Sequence, residues 1–342
     1  MSILNWLSWR EDAQDDESAT GLRVKQAIEL AVLGIDARLC LVKDYASRML
    51  HAVENALDHC SALAAIISGP IDLRPDAWSR DSSVRALFVQ SVEIDQLLGR
   101  SLELLTFATQ PAYTGVDEIC ALISMMRTER KVLGWANQGE ILHKDAVQRI
   151  VSFSDHRLLA PSVSEAELRR EIEWRAYEHL VVEALGYLFR STEAEPSQEL
   201  VSALLRERLK LLQRARAGLD ALHQPPVVDE ATFQALRQQL IENGRQLASL
   251  HRSANTLEEE LARVVEVLAK PADVIGFSRI EDRLTSLNIV ASADVDVAAY
   301  LNLAEISIKG AQMHARTTAI VRLSRRQFKP RRMDFSAAER WL

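Results

Sequence analysis

The sequence predicts a mainly α protein: an elongated multi-helix bundle of long, antiparallel, coiled-coil-like helices with one small β-sheet. Three observations carry that reading. First, Phe233, Leu236, Leu240, Asn243, Leu247, Leu250, Ala254, Leu257, Leu261, Val264 and Leu268 alternate in steps of three and four, with Asn243 as the single polar member. Such a seam lies on one side of a helical rod roughly 50 Å long. Second, Ile28, Val32, Ile35, Leu39, Val42, Ala46, Met49, Val53, Ala56, Cys60, Leu63 and Ile67 repeat the same stepping as far as Gly69-Pro70. Third, 12 Gly and 9 Pro in 342 residues allow few tight turns, which suits long helices better than a many-stranded barrel.

Along the chain, Ile3, Leu4, Trp6, Leu7 and Trp9 form a short apolar segment ahead of an acidic linker at Glu11, Asp12, Asp15, Asp16 and Glu17. A helix is expected from Ser82 onward, with Asp81 as its cap, and another over about 116–133 with Ile119, Ile123 and Met126 inward. The pattern then changes. Residues 145–154 are rich in β-branched and aromatic types and read as a strand, with Glu140–His143 as hairpin partner. Because a lone hairpin is marginal in water, Thr317–Leu323 is expected to join it, so that about 140–154 and 315–323 share one small sheet.

Ser164-Glu-Ala-Glu167 is a capping box opening a helix to about Phe189. The helix after Ser197 has Val201, Leu205, Leu209 and Leu212 on one side and Arg206, Arg208, Lys210, Arg214 and Arg216 on its outer face. Short helices are expected around Phe277–Leu287 and Asp294–Ile306. The resulting division is an N-terminal segment over 1–20, a helical region over 21–192, a long helical hairpin over 197–269 and a C-terminal part over 272–342.

The heptad flanks of 233–268 are not charge-complementary, so packing inside a bundle fits better than a free zipper. Asn243 then sets register, with a polar partner or a water at its layer. Three cysteines in no metal-type spacing, and no apolar run of about 18 residues, point to a cytoplasmic protein with reduced thiols.

The chemistry of the sequence yields no catalytic, cofactor or metal residues. His51, Glu54 and Asp58 share one helix side but lack matching ligands elsewhere, and read as a solvated face. Ser154-Asp155-His156-Arg157 reads as a turn supplying hydrogen bonds, since neighbours on an extended chain point to opposite sides. Seven cations among 17 residues, Arg316, Arg322, Arg325, Arg326, Lys329, Arg331 and Arg332, form a local field opposite to the net charge of −7. They are the candidate anion- or partner-binding residues, and Trp6 and Trp9 the candidate docking or membrane-interface residues.

The expected function is that of a non-enzymatic scaffold or adaptor, binding a protein partner or itself within a larger cytosolic assembly. The alternatives are a nucleic-acid-associated factor using the 316–332 run and a peripheral membrane protein anchored by residues 1–9. No cofactor and no small-molecule substrate are expected.

Overall fold

The computed structural model describes residues 16–74, 76–113, 115–138, 141–192, 199–215, 219, 222, 230–250, 254–291, 297–308 and 315–325. In chain order come α1 (Asp16–Ile35), α2 (Tyr45–Ile66), β1 (Ile71–Asp72), α3 (Ala77–Arg80), α4 (Ser82–Leu87), α5 (Ser91–Arg100), α6 (Leu102–Thr109), β2 (Glu118–Gln138) and β3 (Ile141–Ser162). There follow α7 (Glu165–Thr192), α8 (Glu199–Ala215), α9 (Glu230–Ser249), α10 (Ala254–Ala269), β4 (Ile275–Leu284), β5 (Ala299–Ile308) and β6 (Arg316–Ser324). Two compact units divide the chain: one contains residues 1–65, 170–276 and 307–314, the other 66–169, 277–306 and 315–342.

In the first unit most described positions of both predicted seams are buried, yet neither seam lies on one continuous cylinder. Ile28, Val32, Ile35, Leu39, Val42, Met49, Val53, Ala56, Cys60 and Leu63 are all in the core, while Ala46 is exposed. The helix stops at Ile35 because Asp36 is extended and its carboxylate accepts the Arg38 amide at 3.0 Å, opening a 3-10 turn over Ala37–Leu41. Asp44, at φ 55°, redirects the chain into α2. The 233–268 stretch likewise divides into α9 and α10, and Arg38 Nη1 donates to the Leu250 carbonyl at 2.8 Å just past the end of α9. One buried arginine thus ties the two interruptions together.

Asn243 does find polar partners. Its Nδ2 donates to the Leu204 carbonyl of α8 at 3.0 Å, and its Oδ1 accepts from Arg208 Nη1 at 3.5 Å. Arg208 in turn donates to the carbonyls of Leu33 and Gly34, capping the last turn of α1. The outer basic face expected on this helix is therefore corrected at Arg208, which is buried, whereas Arg206 and Lys210 are exposed. Burial pushes the Arg208 pKa down to about 10 against the attraction of Asp36, and the guanidinium stays charged at neutral pH. Tyr177 of α7 donates its hydroxyl to the Ala27 carbonyl at 2.9 Å, holding α7 to α1.

The second unit overturns the mainly α expectation. It is built on a six-stranded sheet in the order β3-β2-β6-β5-β4, with β1 beside β6. An all-α bundle of coiled-coil helices with one small sheet is accordingly replaced by a mixed α/β fold with a large sheet, antiparallel along β3-β2-β6-β5. The helices expected over about 116–133, 277–287 and 294–306 fall instead on β2, β4 and β5. Ile119–Met125 is buried on both faces of the sheet, and a continuous apolar run has no strand periodicity to read. In β4 the exposed Arg279, Glu281 and Arg283 alternate with Ile280, Asp282 and Leu284, a two-residue period that the three-four spacing of Phe277, Ile280, Leu284 and Leu287 concealed.

The predicted strands at 145–154 and 317–323 do share this sheet, but β2 lies between them and pairs with both. Glu118–Met125 of β2 pairs with β6 and almost the whole of β2 with β3, so β2, rather than Glu140–His143, is the hairpin partner. On its other edge β6 serves two strands: Arg316–Thr318 faces β5, and Val321–Arg322 faces β1. Beyond β4, residues 288–290 return to β3, with Val151 N donating to Asn288 O at 2.9 Å and Val290 N to Arg149 O at 2.8 Å.

One face of the sheet, carrying Ile119, Ala121, Ile123, Phe153, Leu301, Leu303, Ala319 and Val321, packs with Leu87, Phe88, Ile94, Leu98, Leu104 and Phe107 of the 82–109 region. The single helix expected there is three short ones, restarted by caps. Asp81 Oδ1 accepts from Ser83 N at 2.8 Å, and Ser101 Oγ accepts from Leu104 N at 3.3 Å.

Gly69 is fixed by a close approach. Its φ is +142°, and a Cβ there would lie 2.5 Å from the Ile320 carbonyl oxygen, while Ile320 N donates to Ser68 O at 2.8 Å. Gly69→Ala is expected to destabilise the protein by about 1–3 kcal/mol, read as a lower urea midpoint with unchanged slope. An unchanged midpoint would contradict this placement of the strand.

Candidate functional site

A polar cluster in the second unit gathers on Arg316, the first residue of β6. It sits opposite Ile306 of β5 and is only 2% exposed. Its guanidinium is divided three ways: Nε donates to Ser124 Oγ at 3.0 Å, Nη1 to Asp155 Oδ2 at 2.8 Å and Nη2 to the Asp155 carbonyl at 2.7 Å. Asp155 reaches across β2 because β3 is irregular there: the β2–β3 register shifts between Ser124 and Met126, and Asp155 has φ 50°. The sequence reading of 154–157 as a turn is corrected to a bulged strand, although its role as a hydrogen-bonding node holds.

Arg157 joins the node, donating to both Asp155 oxygens at 3.2 and 2.7 Å. Desolvation works against the Asp155 carboxylate, but the bonds from Arg157 and Arg316 outweigh it and hold its pKa below the usual value. Next to it His156 turns inward, stacks on Phe88 at 4.4 Å and uses Nε2 against the Leu87 carbonyl at 2.9 Å. That nitrogen must carry a proton to donate. Burial lowers the His156 pKa despite this bond and the charges of Glu93 and Asp155, with Arg316 adding to the depression. All these groups are engaged in holding β2, β3, β6 and α4 together. The Arg316 guanidinium uses all three of its nitrogens, whereas Arg157 Nη1 is buried without a partner, and the arrangement presents no nucleophile beside a base.

The other sequence-predicted residues scatter. Arg325 donates to the carbonyls of Ala108 and Tyr113, fastening the end of β6 to the α6 region. Arg322 is 41% exposed and lies 3.9 Å from both Asp72 and Glu118. Arg326, Lys329, Arg331, Arg332, Trp6 and Trp9 lie outside the described residues. Of the basic run, then, Arg316 and Arg325 are spent on the fold, and Arg322 is the described member that meets solvent. His51, Glu54 and Asp58 are exposed, as a solvated face requires. Among the described residues, no three His, Cys, Asp or Glu side chains are placed to hold a metal ion, and no helix is long and apolar enough to cross a membrane.

What sequence reasoning missed is the ribbon made by β2 and β3. β6 leaves β2 at Met125, yet β2 and β3 continue as a pair to Gln138 and Ile141. At about 3.3 Å per residue, that continuation is roughly 40 Å long. Its base is braced: Arg127 donates to both oxygens of Asp282 at 2.8 Å, and Arg127 and Arg149 both reach Glu129. Farther out, Leu133 and Val147 stand directly opposite each other, 69% and 67% exposed. The available signal was Thr128–Val132, whose polar residues suit an exposed strand as well as a helix.

Comparison with protein-family models, with curated proteins and with solved structures gave no match. The functional reading rests on the chain's own chemistry.

Asp155→Asn is expected to cost about 2–3 kcal/mol, since it leaves the buried Arg316 charge uncompensated while water still reaches that side of the site. Arg316→Met is expected to cost less, because Asp155 keeps Arg157; equal losses in urea unfolding would contradict the assignment. The histidine makes a separate claim. Its folded pKa is depressed from 6.5, so as pH falls below that value the unfolded chain binds a proton that the folded chain refuses. Stability therefore declines through that window, and His156→Gln should flatten the decline; an unaltered slope would contradict the burial of this ring.

Proposed function

We propose that this protein works by contact, as a non-enzymatic scaffold or adaptor in a cytosolic assembly, and that the β2–β3 ribbon is a binding surface. The observation that carries the reading is the opposed pair Leu133 and Val147, held out on two strands that have left the rest of the sheet. A cross-strand apolar pair contributes to sheet stability when it is covered, and a two-stranded ribbon is marginal in water without such cover. Exposing both members at once suits a surface that a partner closes. Arg130 and Lys131 beside them are exposed as well, giving the patch a cationic margin.

The polar clusters support the same reading. Arg316, Arg208 and Arg38 are consumed in fastening backbone and strands, which is structural work. Of the three described members of the basic run, Arg316 and Arg325 are likewise engaged in fastening the fold.

Sedimentation velocity and quantitative cross-linking of the full chain purified from its native host test the proposal. A stoichiometric companion is expected, and Leu133→Asp with Val147→Asp should remove it while leaving the circular dichroism and urea midpoint in place. A companion that survives the double substitution, or none at all, would contradict it.

A further inference from the structure

The ribbon has an open side, and its geometry can be fixed from the bonds on the opposite side. At the outer edge of β3, Arg149 O and Val151 N are used by residues 288–290 and so point away from β2. In an antiparallel pair the N–H and C=O of one residue point the same way, and direction alternates along the strand. Ile150 therefore faces β2 and bonds with its opposite number Arg130, while Glu129 and Lys131, opposite Val151 and Arg149, turn their backbone groups outward. The alternation carries on to Leu133. Among the described residues, nothing pairs with that edge beyond Met125.

The side chains along this edge define what would fit. Lys131 stands directly opposite Arg149, a like-charge pair that destabilises a sheet by itself. Glu129 is shared by Arg127 and Arg149, and no acid among the described residues pairs with Arg130 or Lys131. In a chain of net charge −7 this is a local cationic strip. A second copy of the ribbon would bring the same cations to the seam and be repelled. An acidic strand would neutralise them.

Resting on the reading of the ribbon as a contact surface, we propose that the open edge of β2 from Glu129 to Leu133 takes up an extended acidic peptide strand by backbone pairing. Two adjacent acidic residues of that peptide lie against Arg130 and Lys131 on the two faces of the ribbon, and an apolar residue lies beside Leu133 and Val147. Main-chain bonds supply the affinity and the alternating side chains the selectivity.

The test uses the full chain and a fluorescein-labelled synthetic peptide of about ten residues, valine-rich with two adjacent glutamates, read by fluorescence anisotropy. Binding is expected, with at least about a tenfold loss on N-methylating alternate peptide amides and a comparable loss on replacing glutamate by lysine. Lys131→Pro removes an outward N–H and leaves the β2–β3 bonds intact, so it should abolish binding while the amides of β3 keep their exchange protection. Binding indifferent to N-methylation overturns the edge mode, and preference for a short DNA duplex over the peptide overturns the acidic-strand occupant. A companion lost with Leu133→Asp and Val147→Asp but kept with Lys131→Pro also overturns the edge mode, and leaves the ribbon's contact role standing.

Discussion

The second unit is organised by the need to bond both edges of a strand that is buried on both faces. From Thr317 to Val321 every residue of β6 is buried, so water cannot satisfy its backbone and the sheet must. One edge is met by β2 without interruption. The other is divided between β5 and the chain entering from Ser68 to Leu73, where Ile320 N finds Ser68 O and Leu73 N finds Arg322 O. This requirement explains why a segment before residue 75 and a segment after residue 315 are neighbours, and why Gly69 must be small.

Buried and half-buried guanidinium groups do the corresponding work where regular pairing stops. Arg208 covers the last carbonyls of α1, Arg38 the carbonyl beyond α9, and Arg325 those of Ala108 and Tyr113. A carbonyl left at a helix end needs a donor, and arginine supplies several in a fixed plane from a long stem. Arg316 performs the same service for a bulge in β3, with Asp155 balancing its charge. Arginine in this protein is an instrument for ending helices and joining strands as much as a surface charge.

That dual use marks the limit of what the sequence disclosed. The buried positions of both long seams were legible, because helical stepping persists through a 3-10 turn that keeps Leu39 in the core. The breaks were not, since Asp36 and Arg38 act through a contact with Leu250 that no local pattern encodes. Thr317–Leu323 was legible as a strand from its β-branched run, and Asn243 as a register-setting polar residue. β2 was hidden because Ile119, Ile123 and Met126 fit a helical spacing, while a strand buried on both faces leaves no alternation to oppose it. The ribbon, the candidate surface, was hidden with it. Charge counting selected Arg316, which proved to be inside.

Amide hydrogen exchange along β2 tests the central arrangement most directly, because it distinguishes a strand bonded on two edges from one bonded on a single edge. Slow exchange is expected at successive amides from Cys120 to Ser124, then alternation farther on, with Thr128, Arg130 and Val132 slow and Glu129, Lys131 and Leu133 fast. Uniform protection from Val116 to Leu133, as a helix would give, or alternation already within Cys120–Ser124, would contradict the account.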